Sequence, residues 1–382
     1  MKCFLNAKTY LNGVGMCIRN IVFDRDVISV GNDEVPRSAE VLSLPDGAVV
    51  LPGFIDEHVH GAGGADVMDG SAQSLSVMAQ TLAKEGTARF LATTMTQSEE
   101  NILNAAKAVK QYMSDGGDGA GLLGIHLEGP FISSAQAGAQ PEEFISAPDI
   151  KLFEKFNSAC GGNIKMVTVA PESKGADKFI SYLKENGVTV SIGHTSADYQ
   201  TAMRAVNCGA SSVTHTFNAQ TGIHHRDIGV AGAALTCDGL YTELIADKIH
   251  VSVPAMSLLY KNKPRGKLVL ITDAMRAKGM GEGISELGGQ TVIVKDSQAR
   301  LEDGTLAGSV LKMNEAVKNL IECGAEFADA VNCATLNVAK NLHIADKYGS
   351  IAVGKRADFT VLDDRFNVLL TIRDGRIIYK NC

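Results

Sequence analysis

The sequence predicts an α/β protein in which a (β/α)8 TIM barrel carries a small β-sandwich domain formed by both chain termini. Eight apolar, β-rich runs alternate with helix-like segments through the middle of the chain, a pattern typical of right-handed βαβ units and a parallel sheet. Short apolar runs broken by turn residues occupy the two ends instead. The length of 382 residues exceeds that of an average domain, but barrels of this class run longer as single units.

The two ends of the chain, residues 1–48 and 350–382, are expected to form the small domain together. Their apolar runs show no helical period: Lys2–Leu5, Met16–Phe23 and Asp26–Val30 at one end, and Asp358–Leu362, Val368–Ile372 and Arg376–Tyr379 at the other. Asn12-Gly13 and Asp374-Gly375 are dipeptides typical of two-residue hairpin turns. Both ends are therefore predicted to be antiparallel strands.

Residues 49–349 are predicted to form the barrel. Its eight strands are expected at Val49–His60, Ala88–Met95, Gly121–Glu128, Lys165–Ala170, Val188–His194, Ser211–His215, Thr242–Asp247 and Leu268–Asp273. Capping residues place helices at Ser71–Gly86, Ser98 to about Met113, Ser196–Gly209, from about Pro254, Lys312–Cys323 and Phe327–Leu342. An open doubly wound sheet is the alternative, but no Gly-x-Gly-x-x-Gly follows the first strand.

Two segments after the eighth strand are predicted to lie outside the barrel pattern. Residues 279–289 are glycine-rich and form either a mobile loop over the site or a plain solvent loop. Thr291–Leu301 is expected to form an inserted hairpin.

Composition argues against several classes of protein. Lys and Arg number 36 against 43 Asp and Glu, for a net charge of −7, so neither nucleic acid nor an anionic membrane surface attracts the chain over long range. No apolar run reaches the length of a membrane span, and the first residues lack a signal-peptide apolar region. The eight cysteines are scattered without a Cys-x-x-Cys pair, a pattern typical of reduced thiols in the cytoplasm.

Residues of metal-binding types end several of the predicted barrel strands. They are His58 and His60 on the first strand, Glu128 on the third, His194 on the fifth, His215 on the sixth and Asp273 on the eighth. Because the carboxyl ends of barrel strands ring one mouth, these side chains are expected to converge there. A lone strand-end histidine is more often structural, but this many at one end favours a site for a first-row divalent metal.

Two further residues lie two positions before candidate ligands and therefore on the same face of their strands. His126 precedes Glu128 by two residues and is interpreted as a packed, hydrogen-bonded interior histidine. Asp56 precedes His58 by two residues and is expected to orient a ligand imidazole.

Sequence blocks spanning nearly the whole chain resemble the amidohydrolase superfamily and, within it, the N-acetylglucosamine-6-phosphate deacetylase family. The blocks are 52–60, His126-Leu-Glu-Gly-Pro130, Gly193-His194-Thr195, Thr214-His215-Thr216-Phe217-Asn218-Ala219, His225-Arg226, Ile245-Ala246-Asp247, His250, Thr272-Asp273-Ala274 and Leu306-Ala307-Gly308-Ser309. This resemblance implies hydrolysis of an acetyl amide on an amino-sugar phosphate. It also implies a homodimer in which Arg226 reaches the neighbouring active site.

The resemblance implies that Glu128, His194 and His215 hold one divalent metal ion. Glu128 is expected to bridge to a second ion at His58 and His60, for one or two ions per subunit. Many barrel amidohydrolases bridge two metals with a carboxylated lysine on the fourth strand instead, but Lys165 lies at the wrong end of that strand. Zinc is the expected metal, with iron or manganese as alternatives.

The resemblance also implies roles around the substrate. Asp273 is expected to move the proton from water to the leaving nitrogen, and His250 to polarise the acetyl carbonyl. From spacing alone, residues 224–227 are an exposed polar turn, whereas the resemblance assigns Arg226 and neighbouring His225 to the sugar phosphate. The remaining substrate-binding residues implied are Ala139, Gln140, Asn218, Ala219, Asp247, Leu306, Ala307 and Gly308. Lys248 stands where the family leads us to expect glycine.

Two other functions stay open at the level of sequence. Another amidohydrolase acting on a cyclic amide, or a deaminase, would explain the metal ligands but not His225-Arg226 with Asn218-Ala219. A non-catalytic sugar-phosphate sensor on the same fold would be expected to have lost Asp273 or a ligand, and neither is missing.

Overall fold

The computed structural model describes residues 1–381 and leaves Cys382 outside the described part. The terminal domain and the barrel predicted from sequence are both present in it. Among the described residues, no helix combines the length and apolar character needed to cross a membrane.

The terminal domain is an eight-stranded sheet drawn from both ends of the chain. Its strands are Lys2–Leu11, Gly15–Phe23, Val27–Gly31, Glu40–Val41, Val49–Pro52, Phe359–Leu362, Val368–Arg373 and Arg376–Lys380. The predicted hairpins at Asn12-Gly13 and Asp374-Gly375 are confirmed, since each connects antiparallel partners. Asp374 and Gly375 have φ of 47° and 71°, as a type I′ turn requires.

This sheet curls over its own core. Phe23 and Phe359 lie on strands three places apart, which in a flat sheet would be separated by about 14 Å. Their ring centroids nevertheless lie only 4.9 Å apart, and Phe4 contacts both rings. The sheet therefore folds back on itself and encloses an aromatic core, as the predicted sandwich requires.

The barrel contains eight parallel strands in chain order. They are Phe54–Val59, Thr87–Thr94, Gly121–Glu128, Ile164–Val169, Thr189–Ile192, Ser212–Val213, Tyr241–Ile245 and Leu268–Ile271, numbered one to eight below. Strand one meets strand eight through a parallel bridge between Val59 and Ala274, and the Asp273 N–H donates to the His58 carbonyl at 2.8 Å. The predicted closed barrel is thus confirmed.

The first predicted strand divides into two strands that belong to different domains. Val49–Pro52 pairs with the terminal sheet, and Phe54–Val59 with the barrel. Gly53 lies at the division, where a Cβ atom would come within 2.5 Å of the Ala88 Cβ. The predicted boundary at residue 48 therefore falls four residues before the end of the terminal-sheet strand, because one uninterrupted apolar run serves both sheets.

The helices follow the predicted alternation with three differences. They span Ala72–Ala83, Glu99–Asp115, Ile150–Ala159, Ala176–Glu185, Tyr199–Cys208, Gly229–Thr236, Val253–Asn262, Met313–Glu322, Phe327–Cys333 and Leu336–Asn341. Asp198 rather than Ser196 caps the fifth helix, since its carboxylate accepts the Thr201 N–H. The single helix predicted over Phe327–Leu342 is two helices. Those at Ile150–Ala159, Ala176–Glu185 and Gly229–Thr236 were not predicted.

An insertion after strand eight lies beside the barrel mouth. The hairpin predicted at Thr291–Leu301 is confirmed and has a third strand, so the sheet comprises Gly283–Leu287, Gln290–Lys295 and Gln298–Leu301. Part of the predicted glycine-rich loop is thus a strand. The Gln290 side chain donates to the Ala139 carbonyl at 2.8 Å, which ties the insertion to the loop after strand three.

Candidate metal centre and active-site cavity

The six residues predicted at the strand ends, namely His58, His60, Glu128, His194, His215 and Asp273, meet at the carboxyl ends of the barrel strands. His194, His215 and Asp273 lie just beyond strands five, six and eight rather than within them, and their φ values are 46°, 25° and 48°. Residues other than glycine seldom adopt this left-handed backbone conformation. Where it persists at a site, the surrounding contacts hold it. Here it turns three functional side chains toward the barrel axis.

Glu128 is the centre of this cluster. Its Oε1 lies 3.1 to 3.3 Å from Nε2 of three histidines, namely His58, His194 and His215. Its other oxygen, Oε2, lies 3.1 Å from His60 Nε2. Asp273 Oδ1 lies 3.4 Å from His58 Nε2 and 3.2 Å from His60 Nε2. One carboxylate therefore contacts all four imidazoles, and the second contacts the pair on strand one.

Each of the four imidazoles is oriented through its other nitrogen. The Nδ1 atoms of His60, His194 and His215 lie 2.8 to 3.2 Å from the backbone carbonyls of Thr93, Gln136 and Asn218, respectively. Nδ1 of His58 lies 3.0 Å from Glu243 Oε2. Since these partners only accept hydrogen bonds, each Nδ1 carries the proton and each Nε2 faces the carboxylates.

This arrangement fits a divalent metal. His194 Nε2 and His215 Nε2 lie 3.1 Å apart, and both approach the same oxygen of Glu128. As neutral rings that donate from Nδ1, these imidazoles would present only lone pairs there, so acceptors would face acceptors unless a proton or a metal cation lay between them. The buried His58 Nε2 likewise has no hydrogen-bond partner among residues 1–381. Such a donor set is repulsive by itself and favourable around a cation.

The charges of the cluster favour ionised carboxylates. Burial alone would raise the pKa of Glu128, but the surrounding imidazoles, His58 first, hold it well below its ordinary value. Burial also opposes ionisation of Asp273, yet His58 and His60 bring its pKa down to about 2. Conversely, burial disfavours protonated His60, but Asp273 and Glu128 raise its pKa to about 9. Both carboxylates are thus anionic at neutral pH.

The predictions for His126 and Asp56, which each lie two residues before a candidate ligand, have different outcomes. His126 is fully buried, and its Nε2 lies 2.8 Å from the Thr168 hydroxyl, so the predicted packed interior histidine is confirmed. Asp56 contacts the backbone N–H of His58 and not its ring, and it also accepts from Thr272. The prediction that Asp56 orients an imidazole is wrong, because its carboxylate ties strand one to strand eight instead.

A cavity of about 290 Å³ opens onto the cluster. Seven of the predicted substrate-binding residues line it: Ala139, Gln140, Asn218, Ala219, His250, Leu306 and Gly308. Met95, Leu287 and Thr305 line it as well. They were missed because no chemistry marks an apolar or small side chain whose position depends on loop packing.

Four predicted substrate-binding residues lie elsewhere. His225 and Arg226 are exposed on the loop after strand six and are not among the cavity residues. Ala307 is buried under the inserted sheet. Asp247 lies behind His250, whose Nδ1 is 2.6 Å from the Asp247 Oδ2. The structure therefore brings Asp247 to a histidine of the cavity rather than to its surface.

Gln140 lines the cavity, but its amide group is bound within the protein. Its Nε2 donates to Glu128 Oε2 at 2.9 Å, and its Oε1 accepts the Thr96 N–H at 2.7 Å. Gln140 thus orients the central carboxylate. Sequence reasoning missed Glu243 and Gln136 in the corresponding roles on imidazoles, and only the spatial neighbourhood of each ring could have identified them.

The conformation of Lys248 accounts for a lysine at a position where the family pattern leads us to expect glycine. Its φ is 66°, a conformation that favours glycine. Its Nζ donates at 2.6 Å to Glu322, the last residue of the helix Met313–Glu322. The lysine side chain therefore extends away from the cavity, and the backbone keeps the shape that glycine would give.

Comparison with known proteins is consistent with this site. The model of the amidohydrolase family matches residues 49–378. The N-acetylglucosamine-6-phosphate deacetylase of Bacillus subtilis (strain 168) is 45% identical over 92% of this chain and 90% of its own length. The N-acetylgalactosamine-6-phosphate deacetylase of Escherichia coli O157:H7 is 38% identical over 85% and 86%, respectively. The crystal structure of N-acetylglucosamine-6-phosphate deacetylase from Pasteurella multocida superimposes with a TM-score of 0.93 at 33% identity, covering 100% of both chains.

Proposed function

The chain belongs to the amidohydrolase family, and on that basis we propose that it hydrolyses the N-acetyl amide of N-acetyl-D-glucosamine 6-phosphate to D-glucosamine 6-phosphate and acetate. Similarity to deacetylases over nearly the whole chain supports the substrate. The convergence of four imidazoles and two carboxylates on one cavity is the observation that carries the chemistry.

The cluster would hold two divalent ions, with zinc as the proposed metal and iron or manganese as alternatives. Glu128, His194 and His215 form one group of candidate ligands, and His58 and His60, which lie beside Asp273, provide a second pair. Glu128 contacts histidines of both groups, which supports its role as the bridge. When bound, a divalent ion supplies Lewis acidity that polarises a carbonyl and lowers the pKa of water toward 7.

Asp273 is the proposed proton carrier. Its low pKa keeps it in the base form at neutral pH, and it lines the cavity beside His60. As water attacks the acetyl carbon, the carboxylate takes one proton from the water. It then gives that proton to the nitrogen as the carbon–nitrogen bond breaks, so acetate and a free sugar amine leave.

His250 is the proposed hydrogen-bond donor to the acetyl oxygen. Its Nδ1 is engaged by Asp247 at 2.6 Å, which leaves Nε2 as the nitrogen available to a molecule in the cavity. Donation from Nε2 requires the doubly protonated ring. Asp247 contacts this ring and does not line the cavity, so it acts through His250 rather than on the sugar.

Arg226 and His225 are proposed to bind the sugar phosphate from a neighbouring subunit of a homodimer. Both side chains are exposed outside the cavity of their own chain. The guanidinium fork suits phosphate oxygens, while Asn218 and Ala219 line the near side of the pocket.

The seven described cysteines are unpaired, which supports a cytoplasmic location.

Acetate release tests the proposed reaction directly. The purified protein, loaded in parallel with zinc, iron or manganese, is given N-acetylglucosamine 6-phosphate, its galactosamine epimer, and unphosphorylated N-acetylglucosamine. Strong turnover of the first compound and weak turnover of the unphosphorylated sugar are expected. Preference for the epimer would reassign the substrate within the family. Activity on none of the three would contradict the proposal and favour another amidohydrolase reaction or a sensor.

A further inference from the structure

Glu243 lies in barrel strand seven with its side chain fully buried. Its Oε2 accepts hydrogen bonds at 3.0 Å both from His58 Nδ1 and from the backbone N–H of His215. These two histidines belong to different ligand groups of the centre. We propose that Glu243 is a positioning residue that couples the two halves of the metal centre, an inference that rests on the metal-dependent function proposed above.

Its first contact fixes the tautomer of His58. Donation from Nδ1 to a carboxylate leaves Nε2 as the ligand nitrogen and raises its basicity. The ring has no alternative anchor on the side of His126, which packs edge-on at a centroid distance of 4.5 Å and directs its own Nε2 to Thr168. Without the carboxylate, His58 is therefore free to rotate or to protonate the wrong nitrogen.

Its second contact holds the turn that presents His215. The φ of His215 is 25°, a conformation that is unfavourable outside glycine and persists only when neighbours enforce it. The Glu243 carboxylate binds the His215 N–H, and the Glu243 carbonyl accepts the Thr216 N–H at 2.9 Å. Two successive peptide groups of the strained turn are thus fixed by one residue.

The second carboxylate oxygen of Glu243, Oε1, indicates that this residue has a role other than packing. Oε1 of Glu243 has no hydrogen-bond partner within residues 1–381, and such a buried acceptor is costly. The next positions of the strand, Leu244 and Ile245, are apolar and equally buried. An apolar residue at 243 would suit the barrel interior better, so the charge is explained by the two histidines that it holds.

Metal affinity measured without any sugar tests this inference. Zinc affinity is determined by competition with a chelating dye for wild type, Glu243→Gln and Glu243→Leu. The matched control is Glu57→Gln, which alters another fully buried barrel glutamate whose Oε1 binds the Asn341 amide instead of a histidine. We expect affinity to fall about 10-fold with Gln and up to about 100-fold with Leu, and the cobalt-substituted protein to change its visible absorption. An effect no larger than that of Glu57→Gln overturns the proposal.

The coupling is tested in a His58→Gln background, where only the His215 contact remains. Glu243→Leu must still weaken zinc binding there, because the turn at His215 loses its anchor. If the effect disappears completely, Glu243 serves His58 alone and the coupling is refuted. Should Glu243→Leu fail to fold, as judged by circular dichroism of the metal-free protein, the comparison of Glu243→Gln with Glu57→Gln decides. Because no substrate is used, failure of the deacetylase assignment leaves these outcomes unchanged.

Discussion

The metal cluster and the loop at residues 224–227 use similar residue types in opposite surroundings. In the cluster, histidines such as His58 and His60 are buried, and each ring has an acceptor on one nitrogen and a carboxylate beside the other. In the loop, His224, His225 and Arg226 are exposed and contact one another, with an Arg226 Nη1 to His225 Nε2 distance of 2.8 Å.

The residues proposed to carry out hydrolysis therefore lie apart from those proposed to bind the phosphate. One chain contains the whole cluster, since the ends of five barrel strands supply every candidate ligand. The groups that orient these ligands lie on strands two and seven and in the loops after strands three and six. The loop has a cationic residue with no ion pair among the described residues, and it lies apart from the cavity. The cluster is therefore pre-organised within one chain, whereas the proposed phosphate-binding role of the loop would require the substrate or a second subunit.

Asp273→Asn gives the largest expected effect, because it removes the proton carrier while keeping the shape of the cluster. Turnover should fall about 10²–10⁴-fold, with metal content unchanged, since Glu128 and the four histidines remain. Steady-state acetate release and elemental analysis of the same preparation measure the two quantities. Near-normal turnover would exclude Asp273 as the proton carrier, and loss of the metal would make it chiefly a ligand.

The double variant His58→Gln, His60→Asn tests whether the cluster has two halves. Glu128, His194 and His215 remain as a complete ligand group, so the metal content should fall by about half rather than to zero. Elemental analysis after dialysis against a weak chelator measures this. The same stoichiometry as wild type would contradict a second ion at the histidine pair, and loss of all metal would show that the halves are inseparable.

Arg226→Ala tests the exposed side of the comparison. A charge-assisted hydrogen bond contributes about 1.5–3 kcal/mol, so kcat/KM for the phosphorylated sugar should fall about 10–100-fold. Activity on the unphosphorylated sugar should change little, which serves as the internal control. An unchanged preference for the phosphorylated sugar would remove Arg226 from the phosphate site.

Mixing two impaired variants tests which subunit provides Arg226. In a mixed dimer of Asp273→Asn and Arg226→Ala chains, one site regains both groups if the arginine acts across the interface. After subunit exchange at equal concentrations, about a quarter of the wild-type rate is expected at limiting substrate. A rate equal to the mean of the two parent variants would place Arg226 in its own subunit.

The sequence predicted the positions of the candidate ligands better than the contacts around them. His58, His60 and Glu128 could be assigned because barrel topology alone brings strand ends together. Glu243, which orients His58, could not, because a glutamate in the middle of a buried strand shows its role only through a neighbour 185 residues away in sequence. The exposure of residues 224–227 was likewise predicted correctly from their polarity.

The smallest effect on catalysis is expected when the buried ion pair of Glu85 and Lys278 is replaced. This replacement tests whether a buried pair of charges matters for activity merely because it is buried. Their 2.6 Å contact matches one donor with one acceptor, unlike the acceptors that face one another in the metal cluster. Burial raises the pKa of Glu85 from 4.5 to about 7. The folded state therefore favours the protonated carboxyl of Glu85. This group stabilises the folded state below pH 4.5, and that stabilisation is lost as the pH rises through 7.

Replacing both partners in Glu85→Gln, Lys278→Met should abolish that loss. Wild type is expected to lose about 3 kcal/mol of unfolding free energy through this group between about pH 4.5 and 8, whereas the double variant should not. Urea unfolding at several pH values in the presence of a chelator measures the difference. Zinc affinity and turnover should remain within about twofold of wild type, because neither residue touches the cluster. A large loss of either would show that the pair supports the site, and that burial and function are not separable in this barrel.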